Sequence, residues 1–396
     1  MNAPRSDRGV GFGVVSTIAM SHQGGDFLEG QFVKPVEAGG LDISIIIGTY
    51  NRCEVLPRAL ASVLSQKTET VQYEIIVVDN NSSDRTREVV ATLMERGETR
   101  LRYIFEGRQG LAHARNAGIA AAVAPIVAFT DDDVRVAPNW IAEMKRAFDE
   151  HPEIDSVAGM ILPRWPSEPP AWLTREHWVG PLALQEYGPL PFYVNSERPV
   201  SLAGANLAFR RSVFSRIGTF APALSQGGDH SDTEMLIRLF RSDLQSMYVP
   251  SILVTADVQP ERLRKAYHRS WSFKAGKAQA LMHFLEIFDR QGRLAKERVA
   301  HETLLGVPAF IYRAILSAAV SWLGATAQRR ESLALMHANR VYYLVGYMCR
   351  SYQQTRPDRF RWRVAEVWIF AVALLKRKMH KVWVQMFRGT SSGPWD

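Results

Sequence analysis

The apolar positions of the chain follow two alternating rhythms. Runs rich in β-branched and other apolar residues, at 43–47, 75–78 and 126–129, read as strands buried on both faces, because such strands show continuous rather than alternating hydrophobicity. Shorter strands are expected at 101–105 and 156–161. Between the strands, apolar residues recur with the period of a helix. Val55, Ala59, Leu60, Val63 and Leu64 mark one helix, and Val89, Val90, Leu93 and Met94 mark the next. Ser82, Ser83 and Asp84 stand where that second helix needs a cap. Residues 112–122 are strong helix formers, 140–148 is amphipathic, and 213–217 makes a short helix. Strands alternating with helices predict an α/β fold, a doubly wound, mostly parallel sheet flanked by helices.

Such sheets bind ligands beyond the carboxyl ends of their strands. Three predicted strands run into polar residues there. Thr49, Tyr50, Asn51 and Arg52 follow the first; Asp79, Asn80 and Asn81 the second; Asp131, Asp132 and Asp133 the third. All are expected on one rim. Three adjacent carboxylates repel one another and resist burial, so a positive group is expected among them. In an extended chain residues i and i+2 point the same way, which would let Asp131 and Asp133 converge on one ion. Hard cations such as Mg²⁺ or Mn²⁺ prefer carboxylate oxygens and share them with phosphate. The competing reading is a solvated acidic turn or helix start. No G-x-G-x-x-G follows the first strand and no G-x-x-x-x-G-K occurs, so dinucleotide and P-loop readings lose support.

A second acidic cluster holds Asp229, His230, Asp232 and Glu234 behind two glycines, with helical spacing from Met235. These acids sit near a helix N-terminus, where negative charge is favoured. They read either as a cap or as a general base held near a reacting hydroxyl. Gly204, Ala205 and Asn206 are small and would let backbone approach a ligand, and Arg210 and Arg211 could meet phosphate or remain a solvated pair. Residues 163–199, rich in Pro and holding Trp165, Trp172 and Trp178, form an irregular excursion over the crevice. Their aromatics are expected as packing anchors, with stacking on a sugar as the alternative.

Taken in order, "SIIIGTYNR", "IIVVDNNSSD", "ARNAGI…IVAFTDDD", "GANLAFRR" and "SDTEMLIRLFRS…YVP" resemble family-2 inverting glycosyltransferases of the GT-A fold, over residues 42–258. The resemblance implies a nucleoside-diphosphate sugar donor, a divalent cation (Mn²⁺ or Mg²⁺) and inversion at the anomeric carbon. By position, Thr49, Asn51 and Asp79 would hold the base and ribose, and Arg115 would lie near the diphosphate. Tyr50, Arg52, Asn81, Asp132 and Asn206 complete the expected donor-binding set. Asp131 would face ribose or metal, Asp133 the metal, and Asp232 would be the catalytic base. The sequence departs from the pattern twice. Ser231 stands where a Glu usually precedes the base, leaving Asp229 and Glu234 as competitors of Asp232. A metal-binding histidine usual after "YVP" would fall near Ala256, with Asp257 beside it as a substitute. The rival readings are a nucleotidyltransferase, whose Gly-rich basic loop after the first strand is missing, and an inactive nucleotide-sugar binding module.

With 396 residues, 46% hydrophobic and 22% charged, the chain has room for one large catalytic domain and an accessory region. The expected division is a flexible arm over 1–40, a catalytic domain over 41–260 and a basic helical region over 261–396. The net charge of +8 is partly concentrated near the C-terminus, in Arg356, Arg359, Arg361, Arg363, Lys376, Arg377, Lys378, Lys381 and Arg388. A basic surface of this kind suits phosphates or anionic lipid; no nucleic acid is expected as partner. The apolar stretch 304–327 is interrupted by Pro308 and Arg313, and Arg313, Ser317 and Ser321 give it a polar stripe. It is expected to lie in a membrane interface or pack on the domain rather than span. Residues 364–375 are apolar but too short to span. Two distant cysteines give no disulfide or zinc pattern, and the run 10–20 makes a poor signal peptide. A cytoplasmic enzyme is expected, peripheral at the inner membrane face, acting on a glycan or lipid-linked acceptor.

Overall fold

The computed structural model describes residues 31–32, 40–68, 70–195, 198, 200–224, 230–284, 303–304 and 307–355. The expected arm, apart from residues 31–32 and 40, lies outside them, as do Asp229 and the basic stretch from Arg356 onward.

In chain order the elements that matter are β1 (Gln31–Phe32), β2 (Ile43–Thr49), α1 (Leu56–Leu64), β3 (Tyr73–Asp79), α2 (Thr86–Glu95), β4 (Leu101–Phe105), α3 (Leu111–Ala121), β5 (Ile126–Asp131), β6 (Val134–Val136), α4 (Trp140–Glu150), β7 (Ser156–Arg164), β8 (Phe192–Val194), β9 (Asn206–Arg210), α5 (Ser212–Ile217), α6 (Ser231–Arg241), β10 (Ser246–Asp257), α7 (Lys265–Phe284), α8 (Ala309–Ala327) and α9 (Glu331–Thr355). Among the described residues one ten-stranded sheet runs in the order β1-β4-β3-β2-β5-β9-β7-β10-β6, with β8 paired to β10. Strands β4, β3, β2 and β5 are parallel, as expected. Strand β9 enters antiparallel between β5 and β7, and β7 and β10 are again parallel to each other.

Alternation within each strand sends side chains to opposite faces of the sheet. Ile43, Ile45 and Ile47 of β2 join one core with Leu60 of α1, Val90 of α2 and Trp140 and Met144 of α4. Ile46 joins the other with Ala114 and Ile119 of α3, Val213 of α5 and Met235 and Leu239 of α6. Helices therefore cover both faces, the doubly wound arrangement the pattern predicts. Each fully buried Leu, Ile or Phe contributes roughly 1.5–3 kcal/mol relative to exposure. At the amino ends of the strands a buried polar network closes the sheet. Glu74 accepts from Ser44 Oγ and Arg102 Nη1, and Arg102 Nη1 also donates to the Ala121 carbonyl.

Helices α7, α8 and α9 form a separate apolar cluster around Trp322, Val341, Leu344 and Tyr347. Helix α7 joins them to the sheet half, where Ala278 and Met282 pack with Leu224 and Ile237. Gly276 of α7 and Gly346 of α9 let the two backbones touch. A Cβ on Gly276 would fall 1.8 Å from the Tyr343 carbonyl, and one on Gly346 2.0 Å from the Phe273 carbonyl. Helix α8 is long and apolar enough to cross a membrane by length and composition alone, yet only 22% of its apolar window is buried.

Candidate active site

Register places the polar strand ends together. Thr49 of β2 lies opposite Asp79 of β3, and Gly48 opposite Asp131 of β5. Beyond this rim lies a cavity of about 420 Å³, within the range of small-ligand sites. Its walls include Thr49, Tyr50, Arg52, Asp131, Asp132, Asp133 and Arg262, with Ala205 and Ala256 across from them. Leu182 and Ala183 of the irregular excursion also line it. Trp165, Trp172 and Trp178 do not line it; they pack against the main core, as anchors.

Strand β5 ends at Asp131, and Asp132 and Asp133 belong to the turn that follows. The i, i+2 argument therefore does not describe how the acids are presented: the turn brings all three to the cavity. Thr49 Oγ1 donates to Asp132 Oδ2 at 2.8 Å. Asp133 Oδ2 lies 3.9 Å from both Arg52 Nη1 and Arg262 Nη2, near enough for charge attraction but too far for a hydrogen bond. Burial pushes the Asp131 carboxyl up to about 7; Arg115 opposes this, and Asp133, Asp132 and Asp232 add to it. Burial and the Asp133 charge push Asp132 up to about 6, against the Thr49 hydrogen bond and Arg52. A cation here would relieve both. The donors are hard carboxylate oxygens, which fits Mg²⁺ or Mn²⁺. Among the described residues no group of three or more His, Cys, Asp or Glu is arranged to hold an ion by protein ligands alone. The set suits an ion held by one or two carboxylates and completed by substrate phosphate. Asp257 does not replace the missing histidine: its carboxylate is held by Arg164 Nε at 2.8 Å and Arg135 Nη2 at 3.2 Å, while Ala256 faces the cavity.

Below the rim Arg115 of α3 is buried between two carboxylates. Its Nη2 is 3.8 Å from Asp131 Oδ1 and its Nη1 is 3.8 Å from Asp232 Oδ2. Its guanidinium lies 5.2 Å over the Phe220 ring. Asn116 fixes that ring by exchanging hydrogen bonds with the Phe220 backbone, both at 2.9 Å. Asp232 sits in the first turn of α6, and its Oδ2 accepts from the Gly204 amide at 2.9 Å. Gly204 is small for Arg115, not for a ligand: a Cβ there would lie 2.2 Å from Arg115 Nη2. Glu234, the rival base, is locked in a buried ion pair with Arg238, at 2.6 and 2.8 Å, and has no free oxygen to offer. His230 packs against Trp271 at 5.3 Å.

Other expected site residues support loops. Asn51 and Asn81 both adopt left-handed backbone, φ 51° and 68°. The Asn51 amide donates to Ser82 Oγ, and Asn51 Oδ1 accepts from the Ser83 amide at 2.8 Å. Asp79 is buried, with Oδ1 taken by the Ser82 amide and Oδ2 by the Tyr103 hydroxyl. Asp84, rather than Ser82 or Ser83, bonds the amide at the start of α2. Asn206 is corrected from ligand contact to structure. It is fully buried; its Oδ1 accepts from Trp140 Nε1, and its Nδ2 donates to the Met160 and Ile252 carbonyls. Arg210 likewise holds backbone carbonyls at Phe148, His151, Pro152 and Ile154 rather than phosphate. Sequence reasoning gave no role to Asn80, which lines the cavity and clamps the next loop. Its Nδ2 donates to the Arg108 carbonyl at 2.7 Å and its Oδ1 accepts from the Gly110 amide at 2.7 Å.

Residues 44–218 match the family model of Glycosyl transferase family 2. The chain is 25% identical over 194 residues to the Glucosyl-dolichyl phosphate glucuronosyltransferase of Haloferax volcanii, covering 48% of this chain and 59% of that protein. It is 36% identical over 107 residues to the Validoxylamine A glucosyltransferase of Streptomyces hygroscopicus subsp. jinggangensis, covering 26% of this chain and 25% of that protein. The chain thus spans less than two thirds of the length of either relative. Among solved structures it is similar to the mannosyltransferase PcManGT of Pyrobaculum calidifontis with GDP-Man and Mn²⁺. The TM-score is 0.45 at 17% identity, over 91% of this chain and 87% of that one.

Proposed function

We propose that the chain, whose residues 44–218 match the family model of Glycosyl transferase family 2, is a glycosyltransferase that moves a sugar from a nucleoside-diphosphate sugar to a hydroxyl of a glycan or lipid-linked acceptor, with inversion. We assign the catalytic unit to residues 41–260 and the accessory helices to 261–396. The observation that supports this reading best is the single buried guanidinium of Arg115 between Asp131, on the donor cavity, and Asp232, on α6.

In this reading the donor diphosphate lies beside Asp131 and Asp133, with Arg52 and Arg262 supplying positive charge from the same wall. A divalent ion bound by Asp133 and Asp131 would neutralise charge on the departing diphosphate. Asp232 accepts the proton of the acceptor hydroxyl as that oxygen bonds to the anomeric carbon, and the electron pair of the breaking C–O bond leaves with the diphosphate. Arg115, 3.8 Å away, and the Gly204 amide, which donates to its Oδ2, hold Asp232 in position. The relation to a glucuronosyltransferase of a lipid-linked sugar, and the exposed apolar side of α8, support an acceptor presented at the cytoplasmic face of a membrane.

Purified protein with Mn²⁺ and a panel of sugar nucleotides is expected to release nucleoside diphosphate. Asp232→Asn should lower kcat by about 10²–10⁴-fold, the range for loss of a general base, with donor binding by calorimetry retained. Asp133→Ala should weaken donor binding itself. Full turnover in Asp232→Asn would remove the assignment of the base.

A further inference from the structure

The accessory helices carry charge that the transfer reaction does not use. Where α8 turns into α9, a cavity of about 270 Å³ is lined by Lys265, Arg269, Arg329, Arg330 and Glu331, with Trp322 as an apolar wall. Four cations face one carboxylate there, and Lys265 Nζ already engages that carboxylate at 2.7 Å. Among the described residues Arg269 Nε is buried without a hydrogen-bond partner, and its guanidinium lies 5.9 Å from the Trp322 ring centre. Arg329 takes a left-handed backbone, φ 55°, which makes the turn tight and leaves both Arg329 and Arg330 exposed. The first turn of α9 adds the positive end of a helix to the same spot.

A second, independent feature lies on the helix that leads to this cavity. On α8, Leu316, Val320 and Leu323 are 68%, 61% and 53% exposed. Their spacing of four and three residues puts them on one ridge, which Ala327 continues toward Arg329. The opposite side of α8, through Ile311, Ala318, Trp322 and Ala325, is buried. A helix with one buried side, a second apolar side left in solvent and cations at its end has the form of an element lying in a bilayer interface. There the apolar ridge enters the acyl boundary and the cations meet lipid phosphate.

We propose that the α8–α9 turn is a docking site for anionic phospholipid at a bilayer surface, with a lipid phosphate among Arg269, Arg329 and Arg330 and the Leu316–Val320–Leu323 ridge in the acyl boundary. This deepens, and rests on, the membrane-presented acceptor proposed above. The site is linked to the donor cavity by a short stretch of chain, since Arg262 lines one and Lys265 the other.

The test is cosedimentation of the full chain with vesicles of phosphatidylcholine alone and of phosphatidylcholine mixed with phosphatidylglycerol. The expected result is binding to the anionic vesicles only. Arg269→Gln with Arg330→Gln should weaken it by about thirtyfold, from the usual attraction of two basic residues to an anionic surface. Arg330→Gln alone, at an exposed position, serves where the double variant fails to fold and should weaken binding by about fivefold. Leu316→Ser with Val320→Ser should also weaken it. Unchanged binding in the charge variants, equal binding to both vesicles, or stabilisation by inorganic phosphate with no vesicle binding would each overturn the proposal. Nucleoside diphosphate binding, measured by calorimetry without vesicles, should be unaltered in these variants. A chain that binds anionic vesicles through these residues but no nucleoside diphosphate would count against the donor reading alone.

Discussion

Burial raises the Asp131 and Asp132 carboxyls above their ordinary value; Arg115 opposes this at Asp131, and neighbouring acids add to it at both. Groups whose folded pKa is raised contribute stability at low pH and lose it as pH rises through the folded value. Here the ordinary value is 3.8 and the folded values are about 7 and about 6, so the loss falls between pH 4 and 7. In metal-free buffer the melting temperature should therefore be lower at pH 8 than at pH 5, and Asp132→Asn should narrow the gap by stabilising the protein at pH 8. Thermal melts in a chelator check this; an unchanged gap in the variant would refute it. At this scale the sequence was informative where an acid run follows a strand, because few other arrangements bring carboxylates together. It misled at Asn206. Small residues do signal close approach, but the approaching group is Arg115, from a distant helix, and Asn206 spends its amide on Trp140 and two carbonyls. Glu234 could not be separated from Asp232 by spacing alone; its partner Arg238, one turn along α6, holds both of its carboxylate oxygens.

The elements that carry the site are the ones with the clearest pattern. Strands β2, β3 and β5 are buried on both faces, so their apolar runs were unmistakable, and the residues after them fell on one rim. Helix α6 begins at Ser231, four residues before its apolar spacing is visible, because its first turn is spent on Asp232 and Glu234. The insertion of β9 between β5 and β7 was not legible, since pairing order depends on contacts far apart in sequence. That insertion puts Ala205, just before β9, on the wall of the cavity at the rim and Gly204 against Arg115. Gly204→Ala should push the guanidinium off both carboxylates. The expected outcome is a fall in kcat of about a hundredfold, the scale of a 1 Å misplacement, with little change in donor affinity. Steady-state kinetics beside calorimetry check it, and an equal loss in both would point to general damage instead.

At the scale of the whole molecule, the accessory helices were expected from their apolar and basic composition, but their mode of packing was not. The contact between α7 and α9 depends on two glycines whose partners are backbone carbonyls in the other helix. Gly276→Val should therefore force the helices apart, at a cost of at least about 1–3 kcal/mol, lowering the melting temperature while leaving sugar-nucleotide binding by the folded fraction intact. Calorimetric melting with and without nucleotide separates these effects. The same contact has a mechanical consequence. With no side chain between the two backbones there is little to compress, so the pair is expected to respond to load as one stiff unit. Beside it is the turn of Arg262, held to His268 of α7 through the Arg262 carbonyl at 2.9 Å. A strain applied to that unit would therefore be felt at Arg262, on the wall of the cavity beside Asp133.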